Sequence, residues 1–214
     1  PSGEITNLPL LQEIGRNKFK IFMSTGMANN KEISQALNVL TKLGTKKNNI
    51  FLLHCNTEYP TPYEDVNLNV LKSFKSNFNI KVGYSDHTIG DHISIGAVSM
   101  GAEVIEKHIT LDKNLKGPDH ICSMSPNEFK NFVNKLRQLE NSLGSNKKKL
   151  TKSEKKNIKI VRKSIYASEN IKKGDKFSKK NLCCKRPFVK ISPMQIEKLY
   201  GKISNKHYSK DDLI

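Results

Sequence analysis

The sequence has no tryptophan, only 20 acidic residues against 37 basic ones, and no apolar run of the ~18 residues a membrane helix needs. Its four cysteines, Cys55, Cys122, Cys183 and Cys184, show neither CxxC spacing nor a framework pattern. Each shortage removes a class. Without a cysteine framework the chain is not a disulfide-built miniprotein. With 12 glycines and 8 prolines in 214 residues it is not collagen-like, and 36% hydrophobic residues are too many for a mostly disordered chain. Cys183 and Cys184 are adjacent, so on a strand they would point to opposite faces and make poor partners. No signal or transit peptide pattern is visible, and a reduced cytoplasm is the expected compartment.

What is present is enough apolar sequence for one or two domains and a formal charge of +17. The charge is localised. Residues 145–190 hold 17 Lys+Arg against 3 Asp+Glu, a balance of +14, which leaves +3 for the rest. Ser145 to Lys156 is rich in Lys, Ser and Asn and reads as a solvated linker. The expected organisation is a first domain over 1–144, a linker over 145–159 and a second domain over 160–214. An anionic partner such as nucleic acid is the alternative reading of the charge. The segment lacks interleaved aromatics and a recognition motif, so nucleic acid is not the expected partner.

From Lys18 onward short apolar runs alternate with helical patterns. Strands are predicted at Ile21-Phe22-Met23, Ile50 to Leu53, around Val82, and at Val104-Ile105. Between them Ile33, Ala36, Leu37 and Leu40 form one helical stripe, Val66, Val70, Leu71 and Phe74 a second, and Ile93, Ala97 and Met100 a third. Ser125-Pro126-Asn127-Glu128 is a capping box with proline at the first helical position, followed by Phe129, Phe132, Val133, Leu136 and Leu143 before Gly144. Strands alternating with helices predict βα units and a parallel sheet, with both strand faces covered. The second region reads as small and mainly β or irregular, with turns at Lys172-Lys173-Gly174-Asp175 and Arg186-Pro187.

In parallel α/β folds the polar residues at C-terminal strand ends build the site. Here those ends read Ser24-Thr25-Gly26, His54-Cys55-Asn56, Ser85-Asp86-His87 and Glu106-Lys107-His108. His87 and His108 sit at the ends of successive strands, which lie ~5 Å apart when they pair, so one ion could meet both imidazoles. The plainer reading is that each histidine bonds only its own loop. Asp119 could bind sugar hydroxyls, orient a histidine, or stabilise its turn. Ser24 and Thr25 precede a helix and could hold an anion such as phosphate. His54 is expected to be structural, and His92 and His207 to lie at the surface.

Pro1-Ser2-Gly3-Glu4, Ser24-Thr25-Gly26-Met27, His54-Cys55-Asn56-Thr57-Glu58-Tyr59-Pro60, Tyr84-Ser85-Asp86-His87-Thr88, Glu106-Lys107-His108 and Gly117-Pro118-Asp119-His120 occur in this order. As a set they resemble the bacterial sialic acid synthases, the N-acetylneuraminate synthase family that includes legionaminic and pseudaminic acid synthases. The resemblance implies an α/β fold, the C-terminal part of a (β/α)8 TIM barrel, followed by a small β-rich antifreeze-like (SAF) domain. It implies condensation of phosphoenolpyruvate with N-acetylmannosamine to give N-acetylneuraminate and phosphate, with legionaminic acid as the alternative product. A divalent cation is implied, Mn2+ first and Mg2+ or Co2+ otherwise, held by His87 and His108. Glu4 would lie near the reacting centre, Ser2, Ser24 and Ser85 would hold phosphoenolpyruvate, and Tyr59 and Asp119 would contact the sugar. Arg186 would reach a neighbouring subunit's site in a domain-exchanged homodimer, with no membrane partner. Pro1-Ser2-Gly3-Glu4 looks like a strand end without its strand. The sequence is therefore expected to lack an N-terminal half-barrel and to need a complementary segment for activity.

Overall fold

A computed structural model describes residues 1–214, which divide into two compact units, Pro1–Gly144 and Ser145–Ile214. In the first unit four strands, β1 (Ile21–Ser24), β2 (Ile50–His54), β3 (Lys81–Asp86) and β4 (Val104–Lys107), pair in sequence order, all parallel. Three helical connections join them: α2 (Asn30–Lys42), then α3 (Tyr63–Val66) with α4 (Val70–Phe78), then α5 (His92–Ser99). Helix α1 (Leu8–Asn17) precedes β1 and α6 (Pro126–Leu143) follows β4. The result is a parallel half-barrel sheet.

The helices cover one face of the sheet. Ile50, Leu52, Val82 and Tyr84 pack there against Ile33, Leu40, Leu71 and Phe74 in a single buried cluster. The strand alternation sends Phe22, Ser24, Phe51, Leu53, Ser85 and Glu106 to the other face. Of the two covered strand faces expected, the helices supply one. On the second face Phe22 stacks on Phe51 at 5.1 Å and is 46% exposed, while Lys20 and Lys81 lie over the Phe51 ring.

In the first unit two helices begin with reciprocal caps. Asn29 accepts from the Glu32 amide and Glu32 returns the contact to the Asn29 amide; Ser125 and Glu128 do the same for α6. The stripe from Val66 to Phe74 is two helices rather than one. Asn67 takes a left-handed conformation, φ 47°, which ends α3 before α4 starts. No helix is long and apolar enough to cross a membrane.

In the second unit, helix α7 (Lys152–Val161) begins inside the stretch whose composition reads as a linker. Its start is set by a capping box, Thr151 with Glu154, and lysine is a good helix former, so a highly charged segment still becomes helical. Strands β5 (Ser164–Ala167) and β6 (Leu182–Lys185) pair antiparallel, and single bridges tie Tyr166 to Leu213, Ile171 to Tyr208 and Lys176 to Ile203. Ile165, Ala167, Ile171, Phe177, Leu182, Tyr208 and Ile214 form this unit's own core. All seventeen basic residues of 145–190 are exposed, so the charge forms a solvated surface.

Candidate active site

The residues that follow the four strands converge on one cavity of about 440 Å³. Its wall includes Ser2, Phe22, Ser24, Cys55, Thr57, Tyr59, Ser85, His87, Glu106 and His108. On one side the β1 turn is pinned by Thr25, whose amide and hydroxyl both donate to the Leu53 carbonyl. The next amide, Gly26, donates to the Ser2 hydroxyl at 2.9 Å, and Ser2 in turn contacts the Cys55 thiol at 3.2 Å. A Cβ on Gly26 would lie 2.6 Å from the Thr57 methyl and 2.8 Å from the Ser2 hydroxyl. Only glycine allows the backbone this close to Ser2.

His87 and His108 stand with ring centres 5.2 Å apart, and Tyr59 lies against both, 4.1 Å from His87 and 5.5 Å from His108. The tautomer of His87 follows from its neighbour. Nδ1 is 2.5 Å from the Asn56 carbonyl, which can only accept, so Nδ1 carries the proton and Nε2 the lone pair. Ser85 lies 3.4 Å from Nε2, but its one proton goes to Glu106 Oε1 at 2.7 Å. The Nε2 lone pair therefore has no donor within the chain. Burial holds the His87 imidazole below its ordinary proton affinity, opposed in part by the Asn56 carbonyl. On the other strand Asp119 Oδ2 is 3.8 Å from Nδ1 of His108. Burial pushes the Tyr59 phenol above its ordinary value, with nearby Cys55 and Asp119 adding to the rise.

This donor set fits a divalent cation. A metal–nitrogen bond is ~2.1 Å, so rings this close can share one ion, and imidazole suits first-row metals. No cluster of three or more His, Cys, Asp or Glu forms an all-protein cage. An ion held by these two nitrogens would draw its remaining ligands from elsewhere.

The structure brings together Ser2, Ser24, Tyr59, Ser85, His87 and His108 in one wall and sets Asp119 beside His108. It does not bring in Glu4, which sits in a 3-10 turn (Ser2–Glu4) with its carboxylate accepting from Asn7 at 2.6 Å. Arg186 lies in the second unit, exposed, its Nε donating to the Val161 carbonyl at 2.8 Å. Glu106, named in the sequence only as part of a strand end, joins the wall directly. The signal for it was present: Glu106 is two residues before His108, as Ser85 is before His87, and a period of two puts each pair on one face.

His54 is structural, as expected. Its Nε2 meets the Val66 carbonyl at 2.7 Å and its ring packs edge-on to Phe74. Burial lowers its pKa, so the unfolded chain takes up a proton that the folded chain refuses. Stability should therefore be level above the ordinary imidazole value of about 6.5 and decline as pH falls below it. His87 contributes in the same direction. Thermal melts between about pH 5 and pH 8 should show this decline, shallower in His54→Asn; an identical slope in the variant would refute the assignment to His54.

The chain belongs to the NeuB family, whose description matches residues 1–148. Over all 214 residues it is 56% identical to an N,N'-diacetyllegionaminic acid synthase of Campylobacter jejuni, covering 64% of that protein. A second N,N'-diacetyllegionaminic acid synthase, from Legionella pneumophila, is 42% identical over 94% of this chain and 57% of its own length. Among solved structures, the N-acetylneuraminic acid synthetase of Leptospira borgpetersenii in complex with citrate is similar at a TM-score of 0.66 and 34% identity, over 73% of this chain and 54% of that one. The chain thus spans less than two thirds of the length of these relatives.

Proposed function

We propose that the chain carries the metal site and part of the anion site of a synthase that joins phosphoenolpyruvate to an acetamido sugar aldehyde. The observation that carries the reading is the His87/His108 pair, with the unpartnered His87 Nε2 facing a cavity lined by Ser2, Ser24, Ser85 and Glu106. In the reaction, C3 of phosphoenolpyruvate bonds to the aldehyde carbon, whose oxygen takes a proton and becomes a hydroxyl. Water adds to C2, and phosphate leaves with cleavage of the C–O bond. A divalent cation, Mn2+ in this reading, supplies Lewis-acid polarisation of the aldehyde when bound.

The chain's own groups do the rest. Ser2, Ser24 and Ser85 offer hydroxyls to the phosphoenolpyruvate anion. The cavity wall holds no lysine or arginine, so within this chain the positive charge comes from the cation. Tyr59 shields both imidazoles and, with Asp119, faces the sugar. Glu106, paired with Ser85, is placed to take or return a proton beside the anion. In a full-length synthase that carries this chain, Glu106→Gln should keep the fold and lower the rate of phosphate release about 100-fold, within the range one acid–base group supplies; an unchanged rate would exclude Glu106 from proton transfer.

The sugar is read as a diacetamido one. Two of the relatives are N,N'-diacetyllegionaminic acid synthases, and phosphoenolpyruvate contains no nitrogen, so in this reading the sugar brings both acetamido groups. The second unit is read as antifreeze-like, with Arg186 reaching a partner's site in an exchanged homodimer. A chimera tests the whole reading: this chain replaces the matching part of the Campylobacter jejuni synthase, and phosphate release is followed with each sugar. Turnover of the diacetamido sugar ahead of N-acetylmannosamine supports it. A folded chimera that turns over neither sugar, or prefers the monoacetamido one, overturns it.

A further inference from the structure

We propose that the buried Asp86–Lys107 ion pair is a positioning device that fixes how His87 and His108 are presented to one cation. The inference rests on the metal reading above and concerns residues that do not line the cavity. Asp86 and Lys107 are paired in register across β3 and β4, one residue before His87 and one before His108. Alternation turns them to the helix-covered face, away from Ser85 and Glu106. Their side chains are 0% and 1% exposed, with Lys107 Nζ 3.1 Å from Asp86 Oδ2.

The remaining bonds of the pair run to Thr88, the residue after His87, and to α5. Asp86 Oδ1 accepts from the Thr88 amide at 2.8 Å and the Thr88 hydroxyl at 2.7 Å, and Oδ2 accepts from the Ser94 hydroxyl on α5 at 2.5 Å. Lys107 also donates to the Thr88 carbonyl. The residues on both sides of His87 are thereby held to the residue that precedes His108. The His87 and His108 carbonyls are tied down separately, by the Thr61 amide at 3.0 Å and the Met124 amide at 2.9 Å.

A charged pair is a costly way to fill such a space. Removing both charges from water carries a penalty that apolar residues of equal volume avoid, and such pairs are often replaceable without loss of stability. Apolar contacts, however, are not directional. An ammonium with three donors and a carboxylate with four lone-pair sites can fix one strand, one loop and one helix start in a single geometry. Specifying that geometry, rather than adding stability, accounts for the pair at this position.

The test uses the 214-residue chain and Mn2+ alone, with affinity read from the paramagnetic resonance of free Mn2+. In Asp86→Asn/Lys107→Met no charge is left buried, so its melting temperature without metal should stay near wild type. Its Mn2+ affinity should fall about tenfold or more, as for other groups that orient metal ligands. The His87 ring-nitrogen shifts, a single Nδ1–H form in the metal-free wild type, should become a mixture. Ser94→Ala removes one donor from Asp86 and should fold regardless, with Mn2+ affinity reduced at least about threefold. Wild-type affinity in Ser94→Ala, or wild-type affinity with an unchanged tautomer in the double variant, overturns the proposal. Failure of the wild type to bind Mn2+ would instead overturn the metal reading itself.

Discussion

Alanine in place of His87 should weaken Mn2+ binding by about a hundredfold or more, beyond the 10–100-fold that orienting partners cost, because a ligand atom itself is lost. The fold should survive. His87 contributes one hydrogen bond to the Asn56 carbonyl and a ring contact to Tyr59, and a neutral hydrogen bond is worth about 1 kcal/mol. Ligand linkage gives a second readout. A cation at 100 times its dissociation constant stabilises a folded chain by about 2.7 kcal/mol. Wild-type chain should therefore melt higher with Mn2+ than with a chelator, and His87→Ala should show no such difference. His108→Ala should behave alike, since it removes the other imidazole of the pair. Equal Mn2+ stabilisation in wild type and both variants would remove the imidazoles from the metal site.

Gly83→Ala should be the most damaging single methyl addition in the first unit. Gly83 lies on β3 between Leu53 of β2 and Val104 of β4. A Cβ there would sit 2.7 Å from the Val104 carbonyl oxygen and closer still to a Leu53 methyl. The leucine can rotate, but the carbonyl belongs to the neighbouring strand, so β3 and β4 must separate. Overpacking of this kind costs about 1–3 kcal/mol, and the backbone clash places Gly83 at the upper end. At roughly 2–4 °C per kcal/mol, the melting temperature should drop by roughly 6–12 °C. Because these strands carry His87 and His108, Mn2+ affinity should fall with it. A variant that melts as wild type would show that the sheet yields more easily than its register implies.

The parts of the fold that repeat with a period were legible in the sequence. The strands at Ile21, Ile50, Val82 and Val104 and the helices from Ile33, Ile93 and Phe129 all occur where the apolar spacing puts them. Helix α1 was missed, although Asn7-Leu8-Pro9 has a capping residue followed by an early proline, because its apolar stripe is short. Helix α7 was hidden by its lysines, which resemble a linker in composition while favouring helix in propensity. In the site, His87 and His108 were visible because residue type and strand ends coincide. The Asn56 carbonyl that sets the His87 tautomer was not, since a backbone acceptor leaves no mark on residue identity. Nor was Asp86–Lys107, a contact between residues 21 apart that only the strand register joins.

The opposite facing of Ser85 and Glu106, against Asp86 and Lys107, bears on how such a chain can change over time. Substitutions at these strand ends alter only the contacts of one side chain. Loss or gain of one residue inside β3 or β4 would do something different: it would turn the imidazoles under the helices and push a carboxylate and an ammonium into the cavity. Length at these two strand ends should therefore be held far more strictly than side-chain identity, and length variation should collect instead in the connection between Leu111 and Lys116, where the residues are all exposed.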